Sequence, residues 1–471
     1  MTLTSNRTSV ATDRQLDASP PEPGTAASER THLFVIGAGY VGLVTAVGMA
    51  RLGHRVTVCD IDAARISELQ AGEAPIWEPG LDAALVEVAD HVTFTTDTTP
   101  PADARYSFIT VSTPLDDDGL MDLRNVVGVV RALLGTVPDD HVIVVRSTLM
   151  PSGPDALLRL RDGGTGGPAI VTNPEFLREG SALQDFQRPG RIVTGWLADR
   201  DRDAAEAVLG LYAGVDAPAF SADARSVAMV KIASNVFLAM KVGFANELAR
   251  LCDVFGADAQ VVADGLGLDD RIGRAFLDAG PGIGGSCLPE QAVAMRVITQ
   301  QAHVDAPLIR SVSTANDVHR TAIAHRIGEL LGRNMGASSA PLDSLRIAVL
   351  GLAFKANTDD VRQSAAIAIA AELRAAGATV IGTDPRAIET ARVADPDLEA
   401  VPSVDEAVAG ADAVLVATEW QEYRELDWQA IARRMRGTLV YDTRGVVDPD
   451  AARAAGLRLE RLGRPDQENA T

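Results

Sequence analysis

The 471-residue sequence is poor in cysteine and has no long uninterrupted apolar run. Its three cysteines are scattered and form no CxxC pair, which excludes a disulfide framework and argues against a zinc site, so no metal is expected. We expect Cys59 and Cys252 to be small buried residues. No apolar run reaches the roughly 18 residues that span a bilayer, and the polar N-terminus lacks the apolar stretch of a signal peptide. These absences predict a cytoplasmic protein without a membrane partner.

Positive charge is also scarce, because 43 Lys and Arg residues stand against 64 Asp and Glu residues, for a net charge of −21. A surface this acidic argues against a nucleic-acid partner. A phosphorylated small ligand stays compatible with it, since helix N-termini and a few basic side chains can outweigh the overall field locally. The chain length favours two or three domains, and 46% hydrophobic with 23% charged residues is the balance of a globular protein.

The pattern of apolar runs divides the chain into four parts. Residues 1–30 are rich in Ser, Thr, Pro and Ala without periodicity, which predicts a disordered tail. Residues 31–221 alternate short apolar strands with helices, which is typical of a parallel sheet covered on both faces. Residues 222–332 begin with apolar residues at helical spacing as far as Phe255, which predicts one long helix. Residues 333–471 repeat the alternation, so we predict an α/β fold with two Rossmann-like doubly wound domains joined by a long central helix.

A glycine-rich turn follows the first predicted strand, with Gly37, Gly39 and Gly42 in GxGxxG spacing. The first glycine permits a tight turn, the second lets a pyrophosphate approach the backbone, and the third lets helix and strand pack closely. The helix that begins there directs free N–H groups at phosphates. Asp60 ends the next strand, where a carboxylate accepts hydrogen bonds from ribose hydroxyls and repels a 2′-phosphate. This context predicts an NAD site, and the alternative is a glycine turn without a ligand.

A longer set of motifs resembles the UDP-glucose/GDP-mannose dehydrogenase family from about residue 32 to residue 445. The motifs occur in order as GAGYVG (37–42), EPGL (78–81), VSTP (111–114), RSTLMPSG (146–153), NPEFLREGSALQDFQRPGRIVTG (173–195), KIASNVFLAMKVGFANE (231–247), GPGIGGSCLP (280–289), GLAFKANTDDVRQS (351–364), TEW (418–420) and DTRG (442–445). The resemblance implies an N-terminal NAD domain, a central helix that forms a homodimer, and a C-terminal domain that helps to bind a sugar nucleotide. It also implies that a sugar C6 alcohol is oxidised twice, with two NAD+ consumed.

Cys287, in the run GPGIGGSC, is implied by the resemblance to be a covalent nucleophile. Oxidation of an alcohol to an acid at one site must retain the aldehyde, and a thiolate retains it as a thiohemiacetal. Loss of hydride then gives a thioester, which water hydrolyses. Flexible glycines before the cysteine would allow close approach of a ligand. The alternative is a buried cysteine in a glycine-rich loop.

Five further polar residues are implied to act beside the cysteine. Lys231 and Asn235 stand at positions i and i+4 of the predicted long helix, so they share one face, where they would stabilise an oxyanion and position water. Glu175 and Glu179 are expected one helical turn apart, with Glu175 holding a water that acts as a base and Glu179 in the nicotinamide network. Thr148 resembles a residue that holds the same water. For the glutamates, the alternative is ordinary charge at a helix N-terminus.

The resemblance implies further ligand contacts along the chain. The residues expected at the cofactor are Gly37, Gly39, Tyr40, Val41, Gly42, Asp60, Thr113, Thr148, Glu179 and Arg444. The residues expected at the substrate are Glu175, Phe176, Leu177, Lys231, Asn235, Arg271, Gly284 and Lys355. Arg271 is expected to reach the substrate across a dimer interface. Without the resemblance, Arg271, Lys355 and Arg444 would be ordinary surface charges.

The sequence departs from the family pattern directly after the nucleophile, where CLPKD is typical and this chain has CLPEQ. Gln291 replaces an Asp that is thought to hold a catalytic water, and glutamine orients water but cannot take up a proton. Glu290 replaces a Lys, and we expect its charge to raise the pKa of the Cys287 thiol.

Three functions stay open at this point. The first is complete oxidation of a UDP-glucose-like substrate to the uronic acid. The second is altered chemistry, with slow or stalled hydrolysis or an unusual nucleotide sugar. The third is a non-catalytic protein that binds nucleotide sugars, against which the joint presence of Cys287, Lys231 and Asn235 argues.

Overall fold

The computed structural model describes residues 30–161, 166–336 and 339–464. The predicted disordered tail therefore lies outside the described residues, apart from Arg30. The described chain contains two mostly parallel sheets, each covered by helices, with a helical region between them. This confirms the prediction of two Rossmann-like domains joined by a long central helix.

The first sheet has eight strands in the order β3-β2-β1-β4-β5-β6-β7-β8. They are β1 (His32–Ile36), β2 (Arg55–Cys59), β3 (Val92–Thr95), β4 (Ala104–Ile109), β5 (Val142–Val145), β6 (Ala169–Thr172), β7 (Ile192–Trp196) and β8 (Ala219–Asp223). Strands β6 and β7 pair antiparallel, and each other neighbouring pair is parallel. The first six strands follow the doubly wound order, which places a ligand crevice beyond the carboxyl ends of β1 and β4.

Helices cover both faces of this sheet. They are α1 (Tyr40–Arg51), α2 (Ala63–Gln70), α3 (Leu81–Glu87), α4 (Arg124–Leu134), α5 (Gly153–Leu160), α6 (Ala182–Gln187) and α7 (Arg202–Gly210). The five residues of β1 are all buried, as expected of an apolar strand with helices on both sides. Asp62 caps α2 by accepting from the backbone N–H groups of Ala64 and Arg65.

The central region consists of α8 (Ala224–Phe255), α9 (Ala259–Gly267), α10 (Cys287–Gln301) and α11 (Pro307–Leu330). Asp223 caps the start of α8 by accepting from Ser226 N, and Gly256, with a φ of 70°, ends it. By length and composition alone, α8 is long and apolar enough to cross a membrane, although charged residues interrupt its apolar run. Its contacts with β6, β7, β8, α10 and α11 make it a helix of the protein core.

The second sheet has six parallel strands in the order β11-β10-β9-β12-β13-β14, the same doubly wound order. They are β9 (Arg346–Leu350), β10 (Thr379–Thr383), β11 (Glu399–Ala400), β12 (Ala413–Val416), β13 (Leu439–Asp442) and β14 (Arg458–Arg461). The helices around them are α12 (Ala365–Ala375), α13 (Ile388–Ala394), α14 (Val404–Val408), α15 (Gln421–Arg424), α16 (Trp428–Arg434) and α17 (Pro449–Ala454).

Two contacts hold the second sheet's domain against the loops of the first. The ring of Trp77 lies 6.0 Å from that of Trp420 between centroids, and the guanidinium of Arg386 lies over Trp77. Gly180 also meets the backbone of Asn357 so closely that an added Cβ would lie 2.4 Å from the Asn357 carbonyl oxygen. These contacts bring the glycine turn after β9 over the carboxyl edge of the first sheet.

Candidate active site

A cleft of about 670 Å³ lies where the two domains and the central helices meet. Its walls come from the loop after β6, from α8, from the start of α10 and from the turn after β9. The predicted site residues that line it are Glu175, Phe176, Leu177, Glu179, Lys231, Asn235, Gly284, Cys287 and Lys355. The structure therefore brings together most of the residues expected at the substrate.

Lys231 and Glu175 form a buried ion pair in the wall of the cleft. Lys231 Nζ donates to Glu175 Oε1 at 2.9 Å and to the Glu175 carbonyl oxygen at 2.6 Å. The other carboxylate oxygen of Glu175 accepts from Leu177 N at 2.5 Å. An ammonium group carries three N–H donors, so Lys231 keeps one donor for an oxygen atom of a ligand.

The pKa of Glu175 reflects two opposed effects. Burial alone would raise it, but the charge and hydrogen bond of Lys231, the Leu177 N–H and the charge of Arg146 together hold the pKa of this carboxyl below its usual range. Glu175 is therefore a carboxylate at neutral pH, even though it is almost shielded from solvent.

Asn235 lies one turn after Lys231 on α8, and its Nδ2 donates to Gln291 Oε1 at 3.0 Å. Gln291 lies in turn one helical turn after Cys287 on α10, and it is buried. Helices α8 and α10 are thus joined by a hydrogen bond between Asn235 and Gln291, one turn from Cys287 on α10.

Cys287 is the first residue of α10 and is exposed to the cleft. The glycine-rich segment ends just before it, and its own backbone is helical. Ser286 Oγ lies 3.8 Å from its Sγ. Burial in the cleft, and then the charges of Glu175 and Glu179, raise the pKa of the thiol, while Lys231 lowers it.

Glu290 follows Cys287 by three positions on α10 and lies near charges of the second domain. Burial raises the pKa of its carboxyl, the charge of Arg362 lowers it and that of Asp360 raises it. The carboxylates that contribute most to the raised pKa of the Cys287 thiol are Glu175 and Glu179, so the effect expected of Glu290 on this thiol stays a prediction.

Glu175 and Glu179 are not a helical turn apart, because residues 173–178 form an extended loop and Glu179 begins a turn. Glu179 crosses to the other domain, where its carboxylate accepts from Arg362 Nη2 at 3.3 Å and from Thr358 Oγ1 at 3.4 Å. Burial, and then the charge of Asp360, raises the pKa of Glu179 to about 7. The loop thus links the NAD-type domain to the second domain at the cleft.

Glu78, in the EPGL motif, connects the glycine turn after β1 to the loop before α6, a role for which the motif gave no sign. Its buried carboxylate accepts from Gly180 N at 2.6 Å and from Ala182 N at 2.7 Å, and also from the hydroxyl of Tyr40. These partners are too distant in sequence to be inferred from local pattern. Tyr40, expected at the cofactor, is therefore bound to the loop that carries Glu175.

The glycine turn after β1 fits a dinucleotide. Gly37 has a φ of 107°, and an added Cβ on Gly42 would lie 1.9 Å from the Gly37 carbonyl oxygen, whereas one on Gly39 would meet nothing within 4 Å. The open face is thus at the glycine that a pyrophosphate approaches. Asp60 accepts from Ala38 N at 2.7 Å, and the neighbouring Ile61 is 87% exposed, an apolar surface suited to an adenine ring.

Several predicted residues lie outside the lining of the cleft, as far as the described chain shows. Thr113 and Thr148 are partly buried in the loops after β4 and β5. Arg271 is exposed and pairs with Asp269. Arg444 donates to the Ala417 carbonyl oxygen at 3.1 Å and lines a second cavity, between α9 and the second domain. In the parts of the chain that the structure describes, no group of three or more His, Cys, Asp and Glu residues is placed to hold a metal ion.

Comparison with protein families gives three matches that together cover most of the chain. Residues 31–215 match the NAD binding domain of the UDP-glucose/GDP-mannose dehydrogenase family, residues 225–318 match its central domain, and residues 348–449 match its UDP binding domain.

Relatives and solved structures of similar length agree with this. The chain is 38% identical over 443 residues to a UDP-glucose 6-dehydrogenase of Rhizobium meliloti, covering 92% of this chain and all of the relative. It is 39% identical to one of Haloferax volcanii, covering 91% and 99%. A structure of a UDP-glucose dehydrogenase from Pyrobaculum islandicum superposes with a TM-score of 0.82 at 36% identity, covering 93% and 99%.

Proposed function

Because the chain belongs to the UDP-glucose/GDP-mannose dehydrogenase family, we propose that it oxidises the C6 hydroxymethyl group of UDP-glucose to the carboxylate. Membership makes it an NAD-dependent nucleotide-sugar dehydrogenase. The choice of UDP-glucose rests on the names of its relatives. The complete reaction converts one alcohol, two NAD+ and one water into one carboxylate, two NADH and three protons.

The observation that carries the proposal is the meeting of Cys287, Lys231 and Glu175 in one cleft. The glycine turn after β1 and Asp60 would hold NAD+, which would supply the hydride acceptor for the sugar carbon. Lys231 uses its remaining N–H to bind the substrate oxygen and to stabilise the negative charge that develops there. Glu175 keeps the ammonium group charged and fixed in a place where solvent does not compete.

Cys287 adds to the aldehyde in the next step. The sulfur forms a bond to the carbonyl carbon as the C=O π bond breaks, and the thiol proton is transferred to the oxygen, which becomes the hydroxyl of a thiohemiacetal. The first turn of α10 favours the thiolate through its free N–H groups, which offsets part of the rise in pKa that burial and the two glutamates cause. A second hydride loss converts the adduct into a thioester.

We assign to Gln291 and Asn235 the orientation of the water that cleaves the thioester. Asn235 donates to Gln291, and neither side chain can accept the proton that the attacking water releases. Thr148 is proposed to belong to the same water site. The departure from the family pattern at Gln291 therefore supports the second candidate, in which thioester formation is normal and hydrolysis is slow.

We predict that Gln291→Asp raises the hydrolytic rate by about 10²-fold, since a general base contributes on the order of 10²–10⁴-fold. The assay mixes enzyme, NAD+ and UDP-glucose and follows NADH in a stopped-flow instrument. In the wild type we expect a burst of two NADH per active site, followed by a slow steady state. The variant should keep the burst and accelerate the steady state.

Gln300→Asp, an exposed substitution on the same helix, is the control and should leave both phases unchanged. A wild type without a burst and with two NADH per sugar supports the complete dehydrogenase, with hydrolysis not limiting. One NADH per sugar indicates release of the aldehyde. No NADH from any of a panel of nucleotide sugars would leave the non-catalytic binding protein as the remaining candidate.

A homodimer through α8 is the second part of the proposal. Phe237, Phe244 and Leu251 follow one another at intervals of seven residues on α8, and they are 53 to 60% exposed. Intervals of seven place side chains on one helix face, so these residues form an apolar stripe that a second copy could cover. Arg271, exposed beyond α9, is proposed to reach the partner's substrate.

Phe244→Asp should convert the dimer into a monomer. Truncation of a central interface residue costs about 2 kcal/mol or more, and a symmetric dimer incurs the cost twice, so the dissociation constant should rise by about 10³-fold. Sedimentation velocity at micromolar concentration measures it. Val393→Asp, at an exposed apolar residue of α13, should leave the wild-type mass unchanged. A dimer that survives Phe244→Asp would show that the stripe is not the interface.

A further inference from the structure

The orientation of Cys287 depends on a segment that has no helix or strand of its own. Residues 280–286 run in irregular conformation up to the first residue of α10. Gly282 and Gly285 have φ angles of 150° and 80°, which are open to glycine and strained for other residues. A segment of this kind keeps one conformation only when the surrounding structure binds its backbone groups.

Asn316 on α11 binds both backbone groups of Ile283. Its Oδ1 accepts from Ile283 N at 2.7 Å, and its Nδ2 donates to the Ile283 carbonyl oxygen at 3.0 Å. The side-chain amide of Asn316 thus makes the same pair of hydrogen bonds to Ile283 that a neighbouring β-strand would make. Asn316 is buried, so water does not replace these bonds when they are lost.

His319, one turn further along α11, holds the start of the same segment. Its Nε2 lies 2.7 Å from the Gly280 carbonyl oxygen, and its Nδ1 lies 2.9 Å from Arg250 Nη1. Because arginine can only donate, Nδ1 accepts and Nε2 carries the hydrogen that Gly280 receives. Burial, and the charge of Arg250, lowers the pKa of His319 to about 4, so the ring stays neutral at working pH. Asn246 accepts from Gly280 N at 2.9 Å.

Asn316, His319, Asn246 and Arg250 lie outside the cleft in which the reaction is proposed to occur. In the described chain, α11 contributes no residue to the lining of the cleft, and Asn246 and Arg250 are also absent from it. Their contacts are to the backbone of the nucleophile's segment and to each other. The opposite side of the segment is held by the second domain, where Gly285 N donates to the Arg362 carbonyl oxygen at 2.9 Å.

We infer that Asn316 and His319 are positioning residues, which hold residues 280–286 so that the sulfur of Cys287 faces Lys231 and Asn235. The inference rests on the proposed role of Cys287 as the nucleophile. A misplacement of about 1 Å can reduce a rate by about 10²-fold, so the loss of either side chain should reduce kcat strongly. The binding of NAD+, at the far glycine turn, should not change.

The test compares His319→Leu and Asn316→Leu with His325→Leu, a matched change at an exposed histidine of the same helix. We expect kcat with UDP-glucose to fall by about 10–100-fold in the first two variants, with KM for NAD+ within about twofold of the wild type. His325→Leu should behave as the wild type. His319→Gln keeps a donor for Gly280 and should recover most of kcat, which a merely space-filling role would not allow.

Alkylation of Cys287 by iodoacetamide, followed by mass spectrometry across a pH series, is the second readout and needs no sugar nucleotide. A loosened segment frees the thiol from burial and from Glu175 and Glu179, so its pKa should fall towards the ordinary value and alkylation should become faster. The inference is overturned if His319→Leu retains wild-type kcat and alkylation profile, or if NAD+ affinity and folding are lost in proportion to kcat even in His319→Gln. A Cys287→Ser variant that still forms uronate at a rate near that of the wild type would instead overturn the proposed function.

Discussion

Cys287→Ser is expected to abolish uronate formation, with a fall in kcat of about 10⁴-fold or more. The serine hydroxyl is not ionised at neutral pH and is a poor nucleophile without a base beside it, so the aldehyde is not captured. The change replaces only sulfur by oxygen, in a side chain that faces the cleft at the start of α10, so it costs little packing. The thermal midpoint and the affinity for NAD+ should therefore remain those of the wild type.

The products that Cys287→Ser forms show whether the first or the second oxidation fails. If the cysteine acts only after the first oxidation, Cys287→Ser should release a small amount of aldehyde, which a hydrazine reagent traps and chromatography detects. Cys252→Ala, at a buried cysteine of α8 far along the helix, serves as the control and should keep uronate formation. Uronate production by Cys287→Ser at more than a hundredth of the wild-type rate would rule out a thioester route.

Lys231→Met is expected to cost both activity and stability. It removes the donor that we assign to the substrate oxygen, which should lower kcat/KM by about 10³-fold. It also leaves Glu175 as a buried carboxylate without its cation, and breaking such a pair costs about 3–5 kcal/mol of unfolding free energy. Methionine has a similar shape, so the cost is electrostatic rather than a cavity.

The stability loss of Lys231→Met should depend on pH with a defined sign. In the wild type the pKa of Glu175 is depressed, so its contribution to stability is present above the unfolded pKa and is lost as the pH falls through the folded pKa. In the variant, burial raises that pKa instead, so the folded state favours the protonated acid. The deficit against wild type should therefore be smaller at pH 5 than at pH 8 in urea unfolding.

A double variant separates the two roles of Lys231. Lys231→Met with Glu175→Gln removes the buried charge together with its partner, so it should recover most of the stability at pH 8 and none of the activity. Equal deficits at both pH values, or no recovery in the double variant, would contradict a buried ion pair as the source of the effect.

The local sequence pattern was sufficient to predict the parts of the candidate site that lie on helices and strands or directly beside them. The strand before Gly37 and the helix after it made the turn recognisable, and the spacing of Lys231 and Asn235 placed both on one helix face. Both side chains do lie at the cleft. Strand, turn and helix patterns extend over only a few residues, so they can be recognised without knowledge of the rest of the chain.

Long-range contacts explain what the sequence did not reveal. The segment with Glu175 and Glu179 read as a helix, yet it is extended because Glu78, about a hundred residues earlier, binds Gly180 N and Ala182 N. Arg362 also draws Glu179 towards the second domain.

The surroundings of the nucleophile follow the same rule. Nothing in the sequence indicated that Arg362 and Asp360, about seventy residues further along the chain, act on the carboxyl of Glu290. His319 and Asn316 gave no local signal at all, since their partners are backbone atoms of a segment more than thirty residues away.

The single helix α8 carries Lys231 and Asn235 near its start, Asn246 and Arg250 near its end, and the apolar stripe along another side. With 32 residues it is about 48 Å long. One helix thus bears the proposed reacting groups, the residues proposed to hold the segment before Cys287, and the surface proposed for a second copy. A mutation that shifts α8 displaces all three sets of residues at once. Substitutions at the apolar stripe are therefore expected to affect catalysis as well, so selection for activity also limits how the stripe can change.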